Sequence, residues 1–266
     1  MPIARLRPQR VNRFGAINWA SEQAQGLISL IAPAPSGVMV DWVKNASYSA
    51  PGTVRFHEGR IVNAGNVTRT GDTFSQTLLK RSYVVWFRNL NATTSSKLYY
   101  EGPQVATYFA PLQSNFSNIN FGYHAGKGGA LFTNLASTGT ASLPYQLNCC
   151  VITMDLAGLA LGSAFVGEGY VNGRSANSSS GTLAAAVASS ERAGAVHTIY
   201  GDSGNSEAAE IRTYNRILSP GEVWRIYDPL TRDDLWYGQG TRAKAGATQS
   251  PLLRFLAESL FVGSSS

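Results

Sequence analysis

Cysteine is nearly absent: the chain has two, adjacent at Cys149 and Cys150, in 266 residues. That leaves no disulfide framework to hold a small core together. On a strand, adjacent side chains point to opposite faces, so one thiol is expected in the core and the other on the opposite face. Histidine is confined to His57, His124 and His197, which lack metal-ligand spacing. No apolar run approaches the ~20 residues of a membrane span. The best one, from Gly26 to Ala32, ends at Pro33 and Pro35, and no uninterrupted apolar segment follows the basic N-terminus. Neither a span nor a secretory leader is therefore expected. Five Asn-x-Ser/Thr triplets, at Asn45, Asn66, Asn91, Asn115 and Asn177, then read as products of an Asn- and Ser/Thr-rich composition.

Charge is also scarce, at 14% of residues, and its distribution is uneven. Residues 1–13 carry Arg5, Arg7, Arg10 and Arg13 with no acid, and residues 238–266 carry Arg242, Lys244 and Arg254 against Glu258. These two ends account for the whole net charge of +6, so residues 14–237 are neutral. A nucleic-acid-reading face would concentrate Lys and Arg on the fold itself, which excludes direct nucleic-acid reading by the body. Basic extensions suit an acidic partner surface instead.

What the chain has in quantity is turn formers and aromatics: Gly 27, Pro 11, Tyr 12, Phe 11 and Trp 5. Short alternating or apolar runs separated by Gly, Asn and Ser predict strands at Leu27–Ile31, Val38–Trp42, Thr53–Phe56, Phe74–Leu79, Tyr83–Arg88, Lys97–Tyr100, Ala106–Phe109, Ile119–Tyr123, Ala130–Asn134, Leu147–Asp155, Phe165–Val171, His197–Tyr200 and Ala209–Tyr214. This is the spacing of a sandwich rather than of βαβ units, with each sheet burying one face. Leu156–Ala164 and Asn177–Glu191 read as loops, the second with a helical turn at Ala184–Ser190. Ser219, Pro220 and Glu222 open a capped helix whose apolar face is Val223, Trp224 and Tyr227, and Asp228-Pro229 stops it. Ser250-Pro251 opens a second amphipathic segment in which Leu252, Leu253, Phe255, Leu256 and Leu260 recur at helical spacing. About twelve such residues are marginal as an isolated helix and need a surface to pack on.

The run Glu210-Ile-Arg-Thr-Tyr-Asn-Arg-Ile-Leu-Ser-Pro-Gly-Glu-Val223 resembles the closing motif of concanavalin A-like, laminin-G-type jelly rolls. Upstream, in family order, Val54–Phe56, Tyr83–Arg88, Asn148–Asp155, the Gly169–Arg174 hairpin and His197–Asp202 are similar to earlier strands of that family. Two positions depart from the pattern: Asn148-Cys149 stands for a Trp-His pair and Asn172 for the usual hairpin Asp. The resemblance therefore carries no sugar or metal role to these positions. Val223–Tyr237, followed by a small-residue tail, is similar to the ending of such domains in bacteriophage virion proteins.

Motifs for chemistry are superficial. Gly201-Asp202-Ser203-Gly204 has the wording of a serine-protease nucleophile loop but lacks a matching His context. Gly122–Gly129 has the wrong spacing for a phosphate loop, with no Ser or Thr after Lys127. Glucanases of the resembled fold place a Glu-x-Asp-x-x-Glu run along one strand so that two carboxylates face across a sugar. Glu207 and Glu210 lack the middle Asp, and Asp233-Asp234 fall beyond the last predicted strand. Loop oxygens at Asp202 and Asn205 could assemble a calcium site only by conjecture.

The reading is thus an all-β, two-sheet antiparallel jelly-roll sandwich over residues 26–237, with a basic arm at 1–25 and a tail at 238–266. No catalytic residue, metal or cofactor is expected. The resemblance implies a non-enzymatic virion structural protein, either a capsid decoration or a tail- or fibre-associated subunit. Arg5, Arg7, Arg10, Arg13, Leu252, Leu253, Phe255, Leu256 and Leu260 would dock it on other virion proteins, with a homo-oligomer expected. A carbohydrate- or receptor-binding module touching a host-surface glycan, through aromatics such as Tyr99-Tyr100, Tyr108 and Tyr123, is the alternative. A glycoside hydrolase stands as a third reading.

Overall fold

The computed structural model describes residues 16–34, 38–49, 55–57, 60–62, 65–70, 80–89, 96–102, 109–114, 119–120, 146–155, 163–182, 196–201 and 206–236, together with Ala157 and Ala160. In chain order the strands are β1 (Leu27–Pro33), β2 (Met39–Asp41), β3 (Ala46–Ser47), β4 (Arg55–His57), β5 (Arg60–Val62), β6 (Gly65–Thr70), β7 (Lys80–Asn89) and β8 (Ser96–Gly102). They continue as β9 (Phe109–Ser114), β10 (Ile119–Asn120), β11 (Leu147–Asp155), β12 (Ala164–Val171), β13 (Arg174–Thr182), β14 (Val196–Gly201) and β15 (Ser206–Tyr214), followed by helix α1 (Pro220–Tyr227).

The protein is an all-β antiparallel sandwich. One sheet has the order β13-β12-β11-β7-β15-β1-β2-β3, and a second has β10-β9-β8-β14-β6, with β4 and β5 forming a separate hairpin. The sheets meet where β15 packs on β14 and β8 and β7 packs on β9, and β5 of the separate hairpin also packs on β15. The chain-distant strands β7 and β15 lie side by side at the centre of the large sheet, with Val85 opposite Ile211.

The expectation that each sheet buries a single face is corrected by the large sheet. Arg81 through Phe87 of β7 are all buried, as are Asn148 through Met154 of β11. A strand covered on both sides reads as a near-continuous apolar run, which is what Tyr83-Val-Val-Trp-Phe87 is. Ile31, Tyr83, Val85, Phe87, Cys150, Ile152 and Ile211 face the second sheet. Leu30, Val84, Trp86, Cys149, Val151, Tyr170 and Tyr214 face the other way and are covered by Ile17, Ala24, Leu218, Val223, Ile226, Leu235 and Trp236. Residues 16–25, read above as the end of the arm, contribute a 3-10 turn at Glu22–Ala24 to that cover, and Ile17 bridges Trp236.

The loop expected at Asn177–Glu191 is corrected in its first six residues, because β13 runs through Thr182 in register with β12. Its Ser/Asn-rich sequence has no apolar alternation to reveal a strand, and it forms one by hydrogen bonding to β12 at the sheet edge. The strands expected at Phe74–Leu79 and Ala130–Asn134, the turn at Ala184–Ser190 and the segment from Leu252 to Leu260 lie outside the described residues. Among the described residues no helix is long and apolar enough to cross a membrane.

Both cysteines are thiols outside any disulfide, buried on opposite faces of β11. Burial, and then the neighbouring Cys149, push the Cys150 thiol well above its ordinary pKa. A thiolate-selective reagent should therefore modify neither cysteine in the native protein and both after denaturation. Reaction of either thiol in the folded state at the rate of a free peptide thiol would contradict this packing.

Candidate functional site

The β12–β13 hairpin turns through Asn172 and Gly173, both at positive φ, +51° and +78°. Asn and Gly are the residues that reach this left-handed region most readily, and the pair matches the twist of the flanking strands. Asn172 is also a tether. Its Oδ1 accepts the Cys149 N–H at 2.9 Å, and its Nδ2 donates to Asn148 Oδ1 at 3.1 Å. Asn148 in turn donates to the Gln146 carbonyl at 2.9 Å. The two departures from the family pattern thus meet in space as one amide pair joining the hairpin to β11.

Gly173 has a second constraint. A Cβ there would lie 2.8 Å from Trp224 Cε3 and 2.9 Å from Tyr227 Cδ1, so the two rings rest directly on the turn. They are delivered by α1, which starts with the expected capping box: Ser219 Oγ accepts the Glu222 N–H, and Glu222 Oε2 accepts the Ser219 N–H at 2.8 Å. Burial works against ionisation of Glu222, but Arg216, at 2.7 Å, and Ser219 outweigh it and lower its pKa. The helix buries Val223 and Ile226 rather than all of its apolar residues. Trp224 is left 45% exposed.

The aromatics form a graded stack from interior to surface. Trp86, buried on β7, lies parallel to Tyr227 with centroids 6.3 Å apart and planes 14° apart. Tyr227 meets Trp224 at 5.8 Å and 58°. Among the described residues the Trp86 indole N–H has no hydrogen-bond partner. Beyond Trp224 the same face of the large sheet continues onto β12 and β13, where Val166 is 56% exposed and Glu168 and Ser175 are exposed. Glu168 accepts a hydrogen bond from the Tyr170 hydroxyl, whose pKa is pushed up to about 12 by burial and then by Glu168.

Beneath the cover sits a buried ion pair. Arg212 Nε donates to Glu210 Oε1 at 2.6 Å, with both side chains essentially inaccessible. The guanidinium also donates to Gln23 Oε1 at 2.6 Å, and Gln23 donates to the Thr231 carbonyl at 2.6 Å. Tyr214 donates to the Gln23 carbonyl at 3.0 Å. Glu210, considered above for its position in an acid run, serves this clasp, which fastens residues 16–25 and 225–232 to β15.

Arg5, Arg7, Arg10, Arg13, Leu252, Leu253, Phe255, Leu256 and Leu260 all lie outside the described residues, as do Tyr108, Tyr123, His124, Asp202 and Asn205. Tyr99 and Tyr100 are on β8, His57 is on β4 and His197 on β14. No cluster of three or more His, Cys, Asp or Glu is gathered among the described residues. Sequence reasoning placed Trp224 and Tyr227 on an apolar helix face and did not single them out. The signal that could have done so is the Asn-Gly turn, whose glycine leaves room for a ring.

No family model matches the chain, and no curated protein matches it. Solved structures do. A Trypanosoma rangeli sialidase in complex with sialic acid has a TM-score of 0.56 at 13% identity, over 80% of this chain and 34% of that one. The same sialidase with 2,3-difluorosialic acid, as a covalent intermediate, gives 0.56 at 12% over the same shares. Domain 4 of AbnA, a GH43 extracellular arabinanase from Geobacillus stearothermophilus, in complex with arabinotriose, gives 0.53 at 15% identity over 76% of this chain and 98% of that one. The chain thus spans about a third of the sialidase and nearly all of the arabinanase domain. Identities this low show a shared fold. They also correct the expectation of a non-enzymatic virion structural protein, in function and in enzyme class alike. The folds matched belong to a sialidase and to a domain of an arabinanase, and the bacteriophage likeness gains no support from them.

Proposed function

We propose that the chain is a carbohydrate-binding β-sandwich of the concanavalin A-like jelly-roll kind, working as a module of a glycan-processing protein. The observation that carries this reading is its match to an arabinanase domain in complex with arabinotriose, over 98% of that domain and 76% of this chain. The partial match to the sialidase supports the same reading, because there too the shared fold is one part of a longer glycan-active chain. Affinity electrophoresis through gels containing arabinan or sialylated glycans, with titration calorimetry on the corresponding oligosaccharides, tests it. Retardation and saturable binding to at least one glycan are expected. Reducing-sugar release from the same polymers separates a module that only holds its glycan from one that also cuts it. Absence of binding to every neutral and sialylated glycan in the panel would sink the proposal.

A further inference from the structure

We infer that the exposed end of the α1 face, with Trp224 as its wall and Glu168 and Ser175 as its polar floor, takes a neutral oligosaccharide. The inference rests on the reading above and names the site for it. Four observations point to this place. Trp224 presents nearly half its surface to solvent yet is held from behind by Tyr227, which lies parallel to buried Trp86. A flat apolar ring fixed in one orientation can cover the C–H face of a sugar with little loss of side-chain freedom. Gly173 brings the hairpin backbone against the ring, so the platform is pinned from two sides.

The register then supplies the polar partners. Ser175 pairs with Tyr170 across β12 and β13, and Glu168 follows two residues along on the same face. At about 3.3 Å per residue, Glu168 lies roughly 13 Å along the strand from Asn172 at the turn, a separation that a short oligosaccharide bridges. The Glu168 carboxylate accepts hydrogen bonds from sugar hydroxyls, and the Ser175 hydroxyl can donate or accept. That carboxylate also repels an acidic sugar. The nearby cations Arg225 and Arg216 are already paired with Glu22 and Glu222, and Arg174, exposed at the hairpin, is in register with Val171 and so belongs to the opposite face of the sheet. The surface therefore selects a neutral glycan over a sialylated one.

Calorimetry with arabinotriose and with a sialylated trisaccharide compares the intact protein with Trp224→Ala, Glu168→Ala and Trp19→Ala. Trp19 is the other exposed indole among the described residues and sits on the turn closed by the Ser21 N–H on the Asn18 carbonyl, on neither α1 nor the β12–β13 hairpin. The intact protein should bind the neutral sugar more tightly. Trp224→Ala should weaken binding about tenfold or more, in line with the loss of one aromatic contact. Glu168→Ala should weaken it as well, Trp19→Ala should not, and thermal melting should show all three variants folded. If the intact protein binds a glycan and both Trp224→Ala and Glu168→Ala bind it equally well, the site is wrong while the module reading stands. Stronger binding of the sialylated sugar overturns the charge argument in the same way. If the intact protein binds no glycan, the reading and the site fall together.

Discussion

Arg212→Met should destabilise the fold by about 3–5 kcal/mol, read as a shift in the denaturant midpoint at unchanged slope. The reason is what the substitution leaves behind. Glu210 has an essentially inaccessible side chain and pairs with Arg212 at 2.6 Å, so removing the guanidinium takes that countercharge away from a carboxylate in a low-dielectric interior. The loss also frees Gln23, which ties residues 16–25 to the Thr231 carbonyl and to Tyr214. The double variant Glu210→Met with Arg212→Met should recover a large part of the loss, because it removes both charges together. Limited proteolysis should cut near residue 20 in the single variant before it cuts elsewhere. A midpoint shift corresponding to less than about 1 kcal/mol would mean that water reaches the pair and that the clasp is not buried as described.

Gly173→Val is the second large effect, expected at roughly 2–4 kcal/mol. Two costs coincide at this position. A β-branched residue is forced to φ near +78°, and its Cβ would enter the space held by the Trp224 and Tyr227 rings at 2.8 and 2.9 Å. Neither ring can yield freely, since Tyr227 lies against Trp86 and α1 is anchored by Val223 and Ile226. The variant should therefore either splay the hairpin or lift Trp224 off it. Tryptophan fluorescence should shift to the red, and glycan binding should fall in step with Trp224→Ala. Asn172→Gly keeps the turn geometry but deletes the amide tether to Cys149 and Asn148, so it should cost less and leave the ring in place. Equal stability of Gly173→Val and the parent would refute the close approach.

How much of this could be read from the residues differs from element to element. The capped helix was legible because Ser219, Pro220 and Glu222 act within one turn, and local hydrogen bonds need no distant partner. The strand at Leu147–Asp155 was legible to the residue because its apolar run is long and bounded by polar ends. β13 was not, since an edge strand of Ser and Asn takes its conformation from β12 and not from its own side chains. The two-sided burial of β7 was written in its unbroken apolar run, yet nothing local says which segments cover the second face.

The candidate site shows the same division. Composition and periodicity alone established an all-β chain, neutral in its body, with a helix closing the last strand, because propensity and capping are local properties. Only the tertiary structure decided that Glu210, Arg212 and Gln23 close a buried clasp, and that Trp86, Tyr227, Trp224 and Gly173 form one graded stack ending in solvent. Those relations join residues as many as 189 positions apart. Which of two equally apolar helix residues is buried and which is left exposed depends on the width of the surface it lands on, a property that belongs to the assembled sheet.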